Sequence, residues 1–179
     1  MEDKQQTDSG NGKPPEILPI LPLFDTTLFP KMVMPLVVMQ KDSIQLVDDA
    51  MSRDRTIGLI STRDLKKETD NPTDKLYGYG TSALILKMAK AEDNKAQLLV
   101  QGLSRFRVKE FTMTTPYMEA RVDYITDEGE TDTEVQALMS NLIGLFSRIV
   151  ELSPGLPDEM GQMVRSIQEP GVLADMVAS

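Results

Sequence analysis

The chain has 179 residues, 40% of them hydrophobic and 26% charged, with a net charge of −9, which is enough for one medium or two small globular cores. It contains no cysteine and no histidine, which excludes disulfides, thiolate metal sites, cysteine nucleophiles and every histidine-dependent triad. The acidic balance argues against nucleic acid, whose binders neutralise phosphates with lysine and arginine.

Residues 1–15 are polar, with Gly and Pro, and are expected to form a disordered tail that is neither a secretory signal nor a presequence. Residues 17–39 carry four prolines (Pro19, Pro22, Pro30 and Pro35) among short apolar runs. Proline lacks a backbone donor, so two smooth central strands are not expected here. The stretch predicts a strand, a sharp turn at Phe29-Pro30, and a second strand with an edge or bulge at Pro35. Asp42 with Gln45 forms a capping-box pattern, and Ile44, Val47, Ala50 and Met51 share a helical face that ends near Arg53. A short strand over 56–60 follows. Residues 62–76 are charged and contain Asn71-Pro72, which reads as a long surface loop.

Residues 79–88 are apolar on both alternating faces, as in a strand buried on both sides. A hairpin turn over 92–95 leads into a strand over 97–101. Over 105–111, Phe106 and Val108 point one way and Arg105, Arg107 and Lys109 the other. Met118, Ala120, Val122 and Tyr124 alternate with Glu119, Arg121 and Asp123. Short strands with one early helix predict a mostly antiparallel, barrel-like sheet. The cations on 105–109, interleaved with Phe106 and Phe111, are read as a solvated face paired with Glu119 and Asp123, in preference to a nucleic-acid surface.

From Asp127 to Glu134 five of eight residues are acidic, which reads as a linker feeding charge to a helix N-terminus. Thr131 with Glu134 makes a second capping box. Val135, Leu138, Met139, Leu142, Ile143, Phe146, Ile149 and Val150 keep helical spacing, and their stripe is expected to pack on two shorter helices. Any part left bare would promote dimers. Ser153-Pro154-Gly155 breaks the helix, Pro157 suits the first turn of the next, and Met160, Met163, Val164 and Ile167 form its stripe. A third helix starts after Pro170-Gly171, and with no cap or charged tail closing it the natural chain is expected to continue. No apolar run is expected to reach the ~20 residues of a membrane helix.

Several landmarks resemble, in order, the amino-terminal region of the ATP-dependent Lon proteases. They are Leu21-Pro22-Leu23-Phe24-Asp25, Phe29-Pro30, Asp42-Ser43-Ile44, Leu76-Tyr77-Gly78-Tyr79-Gly80-Thr81, the turn Val100-Gln101-Gly102-Leu103-Ser104-Arg105, Pro116-Tyr117, Glu151-Leu152-Ser153-Pro154 and Leu173-Ala174-Asp175. The resemblance implies an α+β fold: a PUA-like β pseudo-barrel with one inserted helix over 16–126, then a helical subdomain over 127–179. It further implies a non-catalytic region that engages unfolded or damaged proteins and helps assemble a homo-hexamer. ATP and Mg would serve the parent protein, with no cofactor or metal in this chain. Cereblon-type relatives, which need cysteine and tryptophan, do not fit. A stand-alone adaptor of the same fold is the alternative. The Gly12-Lys13 pair precedes two prolines and makes no phosphate loop, so no catalytic residue is assigned. The implied setting is cytoplasmic, without a membrane.

Twelve methionines stand out, because flexible thioethers suit adaptable apolar surfaces. Phe24, Leu28, Phe29, Met32 and Met34, around the proline turn, are the candidate substrate contacts. Filling the core of a small barrel explains the same residues and is the reading favoured. If peptides do bind, apolar side chains and sheet-edge pairing are the expected means.

Overall fold

The computed structural model describes residues 14–63, 71–91, 95–127 and 132–179. Most of the expected tail, the middle of the expected loop, the hairpin turn at 92–94 and the acidic stretch 128–131 lie outside the described residues.

Six strands, β1 (Ile17–Leu23), β2 (Val33–Val38), β3 (Thr56–Ser61), β4 (Tyr79–Ala91), β5 (Lys95–Met113) and β6 (Met118–Ile125), form one sheet in the order β2-β5-β4-β3-β1-β6. β6 also pairs with the second half of β5, so β1, β3, β4, β5 and β6 close a ring. β2 lies outside it, on the first half of β5. Among the described strands only β1 and β3 run parallel; the crossover between them carries β2 and the helix α1 (Lys41–Met51). Three helices follow the sheet: α2 (Thr133–Leu152), α3 (Asp158–Ser166) and α4 (Pro170–Ala178). The α+β pseudo-barrel with a helical part after it is therefore as expected.

Two apolar clusters fill the sheet. One surrounds Leu21, Leu23, Leu28, Val47, Ile57 and Val100, under α1; the other surrounds Leu18, Ile20, Ile60, Phe106 and Val122, inside the closed ring. Phe106 is fully buried, which stabilises the fold by about 2–3 kcal/mol relative to exposure. Gly80 makes room for it: a Cβ there would collide with the Leu59 carbonyl and the Phe106 ring. A third cluster, Phe146, Val150, Val164 and Leu173, holds the helices together.

Several expectations are corrected. β1 is central despite Pro19 and Pro22, because its neighbours are staggered: β6 flanks Ile17–Ile20 and β3 flanks Ile20–Leu23. Neither proline sits between two complete ladders. The two strands expected over 97–101 and 105–111 are one 19-residue strand, and the expected turn at Gly102 is a bulge. Ser104 pairs with Ser82 and Gly102 with Ala83, which leaves Leu103 as the extra residue. α1 is capped by Gln40 rather than Asp42, without a side-chain bond, and also buries Leu46. α2 is capped by Asp132 rather than Thr131, its carboxylate accepting the Val135 N–H at 2.8 Å. Pro157 caps α3 from just outside it.

α2 is twenty residues long and, by length and composition alone, apolar enough to cross a membrane, contrary to the sequence expectation. Its inner face packs on α3 and α4 through Phe146, Ser147 and Val150. Leu138, Leu145, Ile149 and Leu152 remain exposed on the other side, as does Met163 on α3.

Candidate functional site

The proline turn is fixed by strand chemistry. The Met32 N–H donates to the Phe29 carbonyl at 3.3 Å, with Pro30 second and Lys31 third in the turn at φ 65°, the arrangement of a type II turn. The Lys31 N–H donates to the Gly102 carbonyl at 2.9 Å, and the Gly102 N–H to the Met32 carbonyl at 2.8 Å. Lys31 and Met32 thus stand opposite the single residue Gly102, a bulge with its first member left-handed. Gly102 is required by this contact, since a Cβ would run into the Phe29 carbonyl.

This geometry separates the five candidate residues. Leu28 is in the main core at 2% exposure. Met32 and Met34 are half-buried against the same core. With Phe29 they line a 560 Å³ hollow shared with Asp25, Tyr77 and Ser179. Phe24, 45% exposed, turns into a different groove of 370 Å³, bounded by the end of β1, the outer side of β2 and the start of α1. Phe24 is therefore separated from the methionines.

Of the outward residues of β2, the sequence reading singled out Pro35, as an edge or bulge position, but not Val33 or Val37. Val33, Pro35 and Val37 alternate with the inward Met34, Leu36 and Val38, and Met39 follows, also exposed. All six residues of VMPLVV are apolar, so no alternation in the sequence separates the outward set from the inward one. The outer face continues across the sheet: Val37 is in register with Gln97 and Ala89, and Pro35 with Leu99 and Lys87. A shallow 640 Å³ depression over this surface has Lys87 as the one charged residue among its described lining.

Charge collects elsewhere. On the ring, Lys109 at 2.7 Å and Arg107 at 3.7 Å hold Asp123; the Lys109 hydrogen bond is the main reason that its carboxyl is below the usual range. The expected pairing with Asp123 is thus present, while Glu119 pairs with Arg53 at 3.7 Å. Arg105 is not a freely solvated cation: it reaches Asp127 at 3.6 Å and hydrogen-bonds Asp175 of α4. Burial, opposed by Arg105, pushes the Asp175 carboxyl above its usual value. Lys31 meets Glu169 at 2.5 Å, so α4 is tied to the sheet at two points. Burial also raises the Tyr124 phenol to about 12, and its hydroxyl donates to the Pro15 carbonyl at 2.9 Å. Among the described residues no group of three or more Asp or Glu side chains is arranged to hold a metal.

The features that stand out are apolar, uncharged and strand-like, which suits holding another chain. Comparisons with known proteins agree in kind. A family model described as the ATP-dependent protease La (LON) substrate-binding domain matches residues 17–179. The Lon protease of Syntrophus aciditrophicus is 49% identical over 176 residues, covering 96% of this chain and 22% of that protein. The Lon protease of Desulfosudis oleivorans is 44% identical over 167 residues, covering 93% and 20%. The chain thus spans about a fifth of the length of these curated relatives. The N-terminal domain of Mycobacterium avium complex Lon protease shares the fold, with a TM-score of 0.69 at 20% identity over 89% of this chain and 80% of that one. A Lon N-terminal domain protein from Xanthomonas campestris gives 0.55 at 20% identity over 90% and 96%. The chain belongs to the LON substrate-binding domain family.

Proposed function

We propose that this chain is the non-catalytic, substrate-gripping region of a cytoplasmic ATP-dependent serine protease of the Lon type. Its partners are unfolded or damaged proteins and further copies of the parent subunit, which assembles as a hexamer. ATP and Mg serve the parent; nucleic acid and membranes are not partners. The sheet part, over 16–126, carries recognition, and the helical part, over 127–179, carries assembly. The observation that carries the reading is the exposed, nearly uncharged apolar surface of β2 and its neighbours. Unfolded polypeptides differ from folded ones in displaying apolar side chains and free backbone, which such a surface accepts. Ordering a disordered partner costs entropy, so weak affinity follows. For assembly, the support is the bare stripe Leu138, Leu145, Ile149 and Leu152 on α2, which has the 3–4 spacing of a helix–helix seam.

Carboxymethylated α-lactalbumin, which cannot fold, tests the reading against the native calcium form. Fluorescence anisotropy should show binding of the unfolded form alone, without nucleotide. Equal affinity for both forms, or for neither, contradicts it.

A further inference from the structure

We infer that the groove between the end of β1 and the outer edge of β2 is a slot for one extended, uncharged apolar segment, with two prolines limiting how firmly it pairs. The inference rests on the proposed gripping role and gives that role a location.

The direction of each backbone group follows from register. The Val122 N–H donates to the Glu16 carbonyl at 2.9 Å, and Leu18 and Ile20 continue the same alternation opposite Ala120 and Met118. Even-numbered residues of β1 therefore direct their backbone toward β6. β6 begins at Met118, opposite Ile20, so the backbone of the next even residue, Pro22, faces no strand. On the other side of the groove, the Gly102 N–H donates to the Met32 carbonyl. With β2 in unbroken register, Met34, Leu36 and Val38 direct their backbone to β5. Val33, Pro35 and Val37 direct theirs to the open edge, where no further strand pairs among the described residues.

Two open edges thus border one groove, and each has a proline whose missing donor is on the groove side. Placed there, the prolines cost the sheet no internal hydrogen bond. They leave the slot with the carbonyls of Pro22, Pro35 and Val37 but only the N–H group of Val37 on the β2 side, with the Val33 edge groups lying beyond the groove. That composition blunts edge-to-edge aggregation, as proline on an edge strand does, while still allowing a few bonds to an entering strand.

Charge complementarity selects the occupant. None of the described residues lining the groove is charged, in a chain of which 26% is charged. A carboxylate or ammonium entering it would lose hydration without a partner, whereas apolar side chains would meet Phe24, Val37 and Met39. An extended backbone is the complement of the unpaired edge atoms. The occupant is therefore a strand-forming, uncharged stretch of an unfolded protein.

The test uses the full 179-residue chain and a fluorescein-labelled ten-residue peptide of alternating valine and threonine. Val37→Asp and Phe24→Asp change exposed side chains, and unchanged thermal unfolding would confirm that the fold persists. Each should weaken peptide binding about tenfold or more, because a charge is placed in an uncharged contact. Methylating alternate peptide nitrogens should weaken binding about fivefold through loss of edge bonds. Wild-type affinity in both variants overturns the slot, as does wild-type protein that ignores the peptide. If carboxymethylated α-lactalbumin still binds in those cases, gripping stands and occurs elsewhere, with Met32→Ser/Met34→Ser testing the proline turn. If neither probe binds wild-type protein, the gripping role itself fails.

Discussion

The two ends of the sheet are built on opposite terms. At the closed end, β6 bridges β1 and the second half of β5, Phe106 fills the ring, and the ion pairs Lys109–Asp123 and Arg121–Glu110 dress its outside. At the open end, among the described residues, no strand joins β1 to β2, the surface between them lacks charge, and valines, a phenylalanine and a methionine face solvent. Backbone groups are paired around the closed end and left unpaired along the open one. One five-strand ring can thus keep its shape while presenting an unfinished edge.

The largest effect should come from emptying the ring. Phe106→Ala should lower the unfolding free energy by about 3–5 kcal/mol, measured by urea denaturation, whereas Val37→Thr should change it by less than about 0.5 kcal/mol. Similar costs at both positions would erase the contrast. Gly102→Ala comes next. By pushing the Phe29 carbonyl off the strand it should cost roughly 2 kcal/mol and increase protease cleavage near Pro30.

A third prediction concerns the tie between the sheet and α4. Burial raises the Asp175 carboxyl above its usual value. Native protein therefore holds that proton more firmly than unfolded chain, and the resulting stability is present below about pH 4 and lost as pH rises through the folded value. Asp175→Asn should therefore gain stability relative to wild type between pH 4 and 7, by urea denaturation at both. A loss growing toward pH 7 would mean that the Arg105 pair outweighs burial. The smallest effect sharpens the open end: Pro35→Thr restores one edge donor. It should tighten binding of the valine-threonine peptide a few-fold, about the worth of one net hydrogen bond, while raising self-association in light scattering.

Local patterns were readable from residues alone where side chains alternate against one buried face. The strand Met118–Ile125 is of this kind, as is the stripe Met160, Met163, Val164 and Ile167 except for Met163, which is exposed. Contacts distant in sequence were not readable. Gly102 suggests a turn until the Phe29 carbonyl is known to lie against it, and Pro19 and Pro22 argue against a smooth central strand until the stagger of β3 and β6 is seen. The candidate contacts suffered the same way. Phe24 and Leu28 are equally apolar and four residues apart, yet the loop turns one outward and the other into the core. Arg105 looked like its neighbours Arg107 and Lys109 because its partner Asp175 is seventy residues away.

Amide exchange of the backbone, measured residue by residue with and without saturating carboxymethylated α-lactalbumin, tests most directly whether the unfinished edge holds substrate. Val37 should exchange more slowly in the complex, and the ring amides around Phe106 should keep their rates. If the Val37 amide is unaffected while protection appears only along α2 or at the proline turn, the open end of the sheet is not where unfolded chains are held.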